Sequence, residues 1–244
     1  MVLLQMPTSS NMKKKAVIKK EKFACDFCGR EFARETSLGK HLCETKRRIN
    51  DQENRGNQIG FQAWLDFYKK NTATKKKRTY LDFAKSAYYI AFVKFGNYCL
   101  NVQVMNVSRY IDFLLKEQIS IDHWAKDSSY TKFILWYSRE EDPLDAIARS
   151  IEYTISLSQE EGIQTKDCLR YGNRNKICYA VTTGKISPWM LYHSQSGLEF
   201  IQSLDHTQQK MILEYIDPEK WAIKFHKSKN ILSEVKELLS AGGY

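Results

Sequence analysis

The chain has 244 residues, with an ordinary hydrophobic share of 43% and a high aromatic share of 13%. This composition is that of a folded protein with room for one well-packed core and a small additional module. No apolar run approaches the ~20 residues that a membrane-spanning helix needs, and the basic residues follow the apolar start instead of preceding it, which argues against a secretory signal. We therefore expect a soluble, intracellular protein of the cytoplasm with no membrane partner.

The net charge of +10 is concentrated at one end of the chain. Residues 1–80 contain 19 Lys and Arg against 8 Asp and Glu, whereas residues 81–244 contain 19 against 20. A basic segment attached to a neutral body is typical of a protein that binds a polyanion. We predict a disordered basic arm over residues 1–22, in which lysines form two clusters.

Residues 23–48 have the ligand spacing of a small zinc-binding unit. Cys25 and Cys28 are separated by two residues, His41 follows after twelve more, and Cys43 comes two positions later. Thiolates and imidazoles are the ligands that zinc prefers, and paired thiols in an intracellular chain indicate a metal site more than a disulfide. The segment resembles the two-cysteine, two-histidine zinc finger, in a variant that ends His-x-Cys. The resemblance implies a ββα unit whose small core is made by Phe32 and Leu38 and whose helix presents His41.

The fourth ligand departs from that family's pattern. The family places it about four residues after the histidine, whereas the nearest candidate here, Cys43, is only two residues after His41. Side chains at i and i+2 point to different faces of a regular helix. We therefore expect the helix to unwind or tighten after His41.

The resemblance also implies contacts with DNA bases from Arg34, Ser37 and Lys40, which match the family's base-reading positions. Four basic runs lie on the two sides of the metal ligands, and each phosphate they neutralise would release counterions and add affinity. They are Lys13–Lys15, Lys19–Lys20, Lys46–Arg48 and Lys75–Arg78. We predict nucleic acid as the partner, with DNA favoured, while RNA and single-stranded forms stay open. The predicted contact residues are Arg34, Ser37, Lys40, Lys46, Arg47, Arg48, Lys75, Lys76, Lys77 and Arg78.

A polar, glycine-containing linker is expected over residues 49–60, followed by an all-α domain over 61–244. Phe61, Trp64, Leu65 and Tyr68 share one helical face, and Glu141-Asp142-Pro143 is a helix start signal. The predicted fold is therefore mainly α, with a small ββα-type zinc finger followed by an all-α helical domain of about eight to ten helices.

Several patterns in the body allow two interpretations. Residues 180–190 fit a DNA-reading helix-turn-helix loosely, or a plain helix stop at Gly184 and restart at Ser187-Pro188. The many aromatic residues are platforms for bases or, as is more usual at helical spacing, core. Cys168, Cys178 and His193 form a second metal site or are ordinary core residues.

The histidines have no partner residues at a catalytic spacing, and the sequence contains no glycine-rich phosphate-binding loop. Residues 140–142 as a nuclease cluster are disfavoured, because consecutive acids on a helix do not face one ion. We predict a non-enzymatic protein. The alternative to nucleic-acid binding is an adaptor whose finger and helical body recruit a polymerase or replication component.

A second resemblance covers most of the chain. The run from His41 to Arg48 and later segments such as residues 184–189 and 216–218 look like uncharacterised zinc-finger proteins of T-even-like bacteriophages. This resemblance implies a bacteriophage protein located in the cytoplasm of an infected host cell, and it implies no mechanism.

Overall fold

The computed structural model of the chain describes residues 22–73 and 77–244. The basic arm, apart from Lys22, and two predicted contact residues, Lys75 and Lys76, lie outside these ranges. The chain divides into two compact units, with the boundary between Asn50 and Asp51. The fold is mainly α with one two-stranded sheet near the N terminus, which confirms the predicted fold class.

The first unit begins with the expected ββα order. Strands β1 (Phe23–Ala24) and β2 (Glu31–Phe32) are antiparallel, with Phe23 opposite Phe32. Helix α1 (Glu35–Gly39) follows, and then a second short helix, α2 (Glu44–Asn50), which the sequence did not predict.

The second unit begins with a helix where a linker was expected over residues 49–60. Helix α3 (Arg55–Asn71) starts there, with the Asn54 side chain accepting a hydrogen bond from the Gly56 amide at 2.9 Å. Gly56 and Gly60 are buried because α3 packs closely on α5 (Tyr89–Val102). A Cβ added at Gly96 of α5 would lie 1.9 Å from the Gly56 carbonyl oxygen. The glycines therefore allow close helix packing, and the linker prediction is wrong from residue 55 onward.

Thirteen α-helices occur in the described part of the second unit, more than the predicted number, because several contain only four to six residues. The others are α4 (Tyr80–Ala84), α6 (Val107–Lys116), α7 (Asp127–Glu140), α8 (Pro143–Glu161), α9 (Cys168–Tyr171), α10 (Arg174–Thr182), α11 (Pro188–His193), α12 (Gln195–Ser203), α13 (His206–Ile216), α14 (Pro218–Lys227) and α15 (Leu232–Ala241). Within the described ranges, no helix has the length and apolar character to cross a membrane.

Two hydrophobic cores stabilise this unit. One lies among α3–α7 and is dominated by aromatic side chains, including Trp64, Phe92 and Trp124. The other lies among α8–α15 and is mostly aliphatic around Trp189. The aromatic residues of the body are therefore mainly core, as their helical spacing favoured.

The turn after α10 joins the two cores. The Tyr130 hydroxyl donates to the Thr183 carbonyl at 3.0 Å, and Arg149 Nε donates to the Gly184 carbonyl at 2.9 Å. The following helix α11 has Trp189, Met190 and Leu191 at 0% exposure. A helix buried in this way cannot enter a DNA groove, so the helix stop and restart is the correct interpretation of residues 180–190.

Candidate metal centre

Three thiols and one imidazole converge in the first unit. The ligand atoms of Cys25, Cys28, His41 and Cys43 all lie within 4.8 Å of one another. The Cys25 and Cys43 sulfurs are 4.0 Å apart, and the Cys28 sulfur is 3.3 Å from His41 Nε2. Tetrahedral zinc with its usual bond lengths places two sulfurs ~3.8 Å apart and a sulfur and a nitrogen ~3.6 Å apart. The donor set and its geometry therefore fit zinc.

The first two ligands lie on the turn between the strands. Gly29, with φ +72°, allows the chain to reverse, and its amide donates to the Cys25 carbonyl at 2.8 Å. The Cys25 amide in turn donates to the Arg30 carbonyl at 2.9 Å. The backbone amide of Cys28 faces the Cys25 sulfur and lowers the pKa of that thiol. At Cys25 this contact favours the thiolate, which is the form that binds a metal, whereas burial and the neighbouring Cys25 and Cys43 thiols raise the pKa of Cys28.

The last two ligands lie where the chain passes from α1 to α2. Helix α1 ends at Gly39, and the His41 amide donates to the Leu38 carbonyl at 3.0 Å, a tightened i to i+3 bond. Cys43 then caps α2, because its sulfur accepts a hydrogen bond from the Lys46 amide at 3.5 Å. Helix α1 was expected to present His41 and to unwind or tighten after it. It instead ends at Gly39, so an interruption is present but it lies before His41, and the expected helical position of this ligand is wrong. Separate helices on either side of the ligands bring side chains at i and i+2 to the same ion.

The unit has almost no hydrophobic core of its own. Phe32 and Leu38 are only half-buried, and the Phe32 ring lies 4.8 Å from the His41 ring between centroids. Among residues 22–50, Cys25 alone is buried, at 5% exposure. In units this small, a bound metal commonly supplies most of the folding free energy.

The predicted base-reading residues surround α1 on the exposed surface. Arg34 caps the helix in an extended conformation, Ser37 lies within it, and Lys40 follows its last residue. All three are exposed. Arg34 and Lys40 form no ion pair with any other residue in the described ranges.

The first basic run lies on α2. Arg47 is exposed and forms no ion pair within the described part of the chain, whereas Arg48 pairs with Glu44 one turn earlier. Lys46 is half-buried. The two arginines in the last turn complement the negative end of the helix dipole.

The second basic run belongs to the other unit. Lys77 is exposed, but the Arg78 guanidinium lies 4.0 Å over the Tyr68 ring and 5.6 Å from the centre of the Trp64 ring. Such cation–π contacts hold Arg78 against the aromatic core. Its side chain is therefore less available to a phosphate than the sequence predicted.

The remaining candidate groups in the body have structural roles. Cys168 and Cys178 are fully buried, and burial raises the pKa of both thiols, to about 11 for Cys178. The His193 ring stacks on Trp189. Glu141 binds Arg149 and Asp142 caps α8, so residues 140–142 do not form a metal-binding cluster.

One basic surface is not apparent from the sequence. A cleft of about 450 Å³ in the second unit is lined by Arg139 at the end of α7 and by Lys220, Lys224 and Lys227 of α14. Lys224 Nζ donates to the Arg139 carbonyl at 2.6 Å, which fixes the two helices together. The three lysines are close together on α14, but Arg139 lies about 80 positions earlier in the chain, so only the fold adds it to this surface.

Comparison with known proteins finds no matching family model, no matching curated protein and no matching solved structure. Any function must therefore be inferred from the residues of this chain alone.

Proposed function

We propose that this protein binds nucleic acid, with DNA favoured, through a zinc-holding finger flanked by basic segments, without catalysing a reaction. The supporting observation is the cluster of three thiols and one imidazole in a unit with exposed, unpaired cations. Bound zinc would supply the folding free energy that the small core lacks. In this proposal the side chains of the protein, and not the zinc, contact the nucleic acid.

Exposed cations on this unit support the proposal. Arg34, Lys40 and Arg47 are exposed and pair with no acid in the described ranges. Their desolvation on binding therefore breaks no internal ion pair. Each phosphate they neutralise releases counterions, which supplies affinity that a single finger lacks.

Salt dependence tests this proposal. Each lost phosphate contact lowers the slope of log K against log salt by ~0.9 on double-stranded DNA. The double variant Arg34→Ala/Arg47→Ala should therefore flatten the slope by ~1.8. The control is Lys94→Ala/Lys132→Ala, which removes the same charge from exposed positions on α5 and α7. Equal slopes for both double variants would contradict the proposed interface.

Sequence reading by the finger is tested separately at Lys40. Lys40→Ala should change the preference for one base at one position of a randomised duplex, because a lysine that reaches a guanine edge discriminates by ~1–3 kcal/mol. A uniform loss of affinity across all sequences would assign Lys40 to a phosphate instead.

A specific observation also favours the adaptor alternative. An apolar groove of about 320 Å³ in the second unit is lined by Ile201, Leu204, Ile212 and Leu213, and Leu213 is 58% exposed. Such a surface fits a protein partner, such as a polymerase or replication component. Leu213→Asp should abolish salt-resistant capture of that partner and leave DNA affinity unchanged. Loss of DNA binding in this variant would count against two separate surfaces.

A further inference from the structure

A second cleft in the helical unit combines aromatic and polar groups. It has a volume of about 820 Å³ and is formed by the end of α3, the start of α5 and the segment after α6. Its lining includes the aromatic rings of Phe67 and Tyr88 and the polar side chains of Lys70, Gln118 and Asp122. This volume is in the range of sites that hold a nucleotide-sized ligand, about 300–1,000 Å³.

Tyr88 is one of three exposed aromatic residues in the described part of the second unit, with Tyr171 and Tyr179, and it is the one that lines this cleft. Its side chain is 43% exposed, and its ring centroid lies 6.0 Å from that of Phe67. Phe67 in turn packs against Phe92 at 5.7 Å and Trp124 at 6.3 Å, both of which are buried. The Tyr88 ring is therefore supported by the core on one side and accessible on the other, which is the arrangement of a stacking platform.

The polar side chains of the cleft suit a nucleotide. Lys70 is exposed and forms no ion pair within the described residues. Asn71 Nδ2 donates to the Phe67 carbonyl at 2.8 Å, which fixes this amide at the end of α3. Gln118 and Asp122 also line the cleft, are exposed, and offer a hydrogen-bond donor and acceptors. A cation for phosphate thus lies in the same cleft as groups that recognise a base edge.

We propose that this cleft binds an unpaired nucleotide of a single-stranded nucleic acid, with the base stacked on Tyr88 and Lys70 on the adjacent phosphate. A base within a duplex has both faces covered by its neighbours and cannot stack on a protein ring. A simple anion would need no aromatic platform. The inference depends on the proposed function for the class of partner, but it places single-strand contact in the unit that does not hold the finger.

The test compares three variants of the full-length protein. Tyr88→Ala removes the platform, Tyr88→Phe keeps it, and Tyr171→Ala removes a tyrosine that is 74% exposed and lies outside the cleft. The probes are a short fluorescent oligothymidine and a duplex of the same length. Tyr88→Ala should weaken binding of the single strand by roughly 5- to 150-fold, the range for loss of one stacked base. Tyr88→Phe and Tyr171→Ala should match the parent protein, and duplex affinity should not change.

Equal affinities of Tyr88→Ala and the parent for the single strand would overturn the inference, as would a Tyr88→Phe variant as weak as Tyr88→Ala. The tryptophan emission of each variant verifies that the helical unit is folded. Lys70→Ala gives an independent measurement, since it should reduce the salt slope for the single strand by ~0.7, whereas Lys132→Ala should not. An unchanged salt slope in Lys70→Ala would show that Lys70 does not contact a phosphate, and would contradict the proposal.

The two proposals fail in distinguishable ways. If Tyr88→Ala has no effect while Arg34→Ala/Arg47→Ala flattens the salt slope, the cleft inference fails and the finger proposal stands. If the finger variants have no effect while Tyr88→Ala weakens single-strand binding, the reverse holds.

Discussion

Replacing Cys28 with serine removes one of four donor atoms from a unit that has little else to stabilise it. Burying Phe32 and Leu38 completely would contribute ~3–6 kcal/mol, and both are only half-buried. Structural zinc contributes ~10–16 kcal/mol to folding in units of this kind. Bound zinc would therefore be the dominant stabilising contribution, and Cys28→Ser should lose the metal and unfold residues 22–50.

The second unit should be unaffected, and the sequence provides a reporter for it. All five tryptophans lie between residues 64 and 221, so tryptophan emission measures that unit alone. We expect zinc analysis to show loss of one equivalent, hydrogen exchange to become fast across residues 22–50, and the tryptophan melting curve to stay unchanged. The matched control is Cys168→Ser, which alters a buried thiol outside the centre and should retain zinc.

Retention of zinc by Cys28→Ser would refute the ligand assignment. Loss of tryptophan signal or of the body's helicity at the same temperature would refute the independence of the two units. If residues 22–50 stayed protected after zinc was lost, their small core would be more stabilising than its apolar area indicates.

Two further predictions concern the helical unit, and chemical denaturation followed by tryptophan emission measures both. Gly96→Ala places a Cβ 1.9 Å from the Gly56 carbonyl oxygen, so α3 and α5 must separate, at a cost of about 3 kcal/mol or more; an unchanged midpoint would contradict this packing. Arg149→Ala leaves the buried carboxylate of Glu141 without its partner, which should cost about 3–5 kcal/mol at neutral pH. Burial raises the pKa of Glu141 in the folded state, and without Arg149 this effect is unopposed. The folded variant then binds more protons than the unfolded chain, so its loss of unfolding free energy relative to the parent should shrink as pH falls through the raised pKa toward ~4.3. A loss of stability that grows as pH falls would contradict this reasoning.

The metal ligands were predictable because their chemistry is local. Three cysteines and a histidine within nineteen residues rarely occur together by chance, and the interval between His41 and Cys43 required the helix to be interrupted there. Helix boundaries in the body were predictable for the same reason. Asp142 and Pro143 start α8, and Gly162 ends it with φ +69°, because caps depend on a few adjacent residues.

Other features depended on residues that are distant in the sequence. Gly56 and Gly60 indicate a flexible linker by composition, but the approach of α5 makes them a close-packed helix surface. Arg78 ends a basic run, yet its position over Tyr68 is set by how α3 packs. Tyr88 is one aromatic residue among many, and only the fold leaves its ring exposed beside Lys70.

The sequence alone thus determined which residues can hold a metal and where many helices begin and end, since hydrogen bonds and ligand spacing act over a few positions. The tertiary structure decided which of the similar-looking cations and aromatic rings face solvent. Exposure depends on which helices cover one another, and that is fixed by packing between segments far apart in the chain.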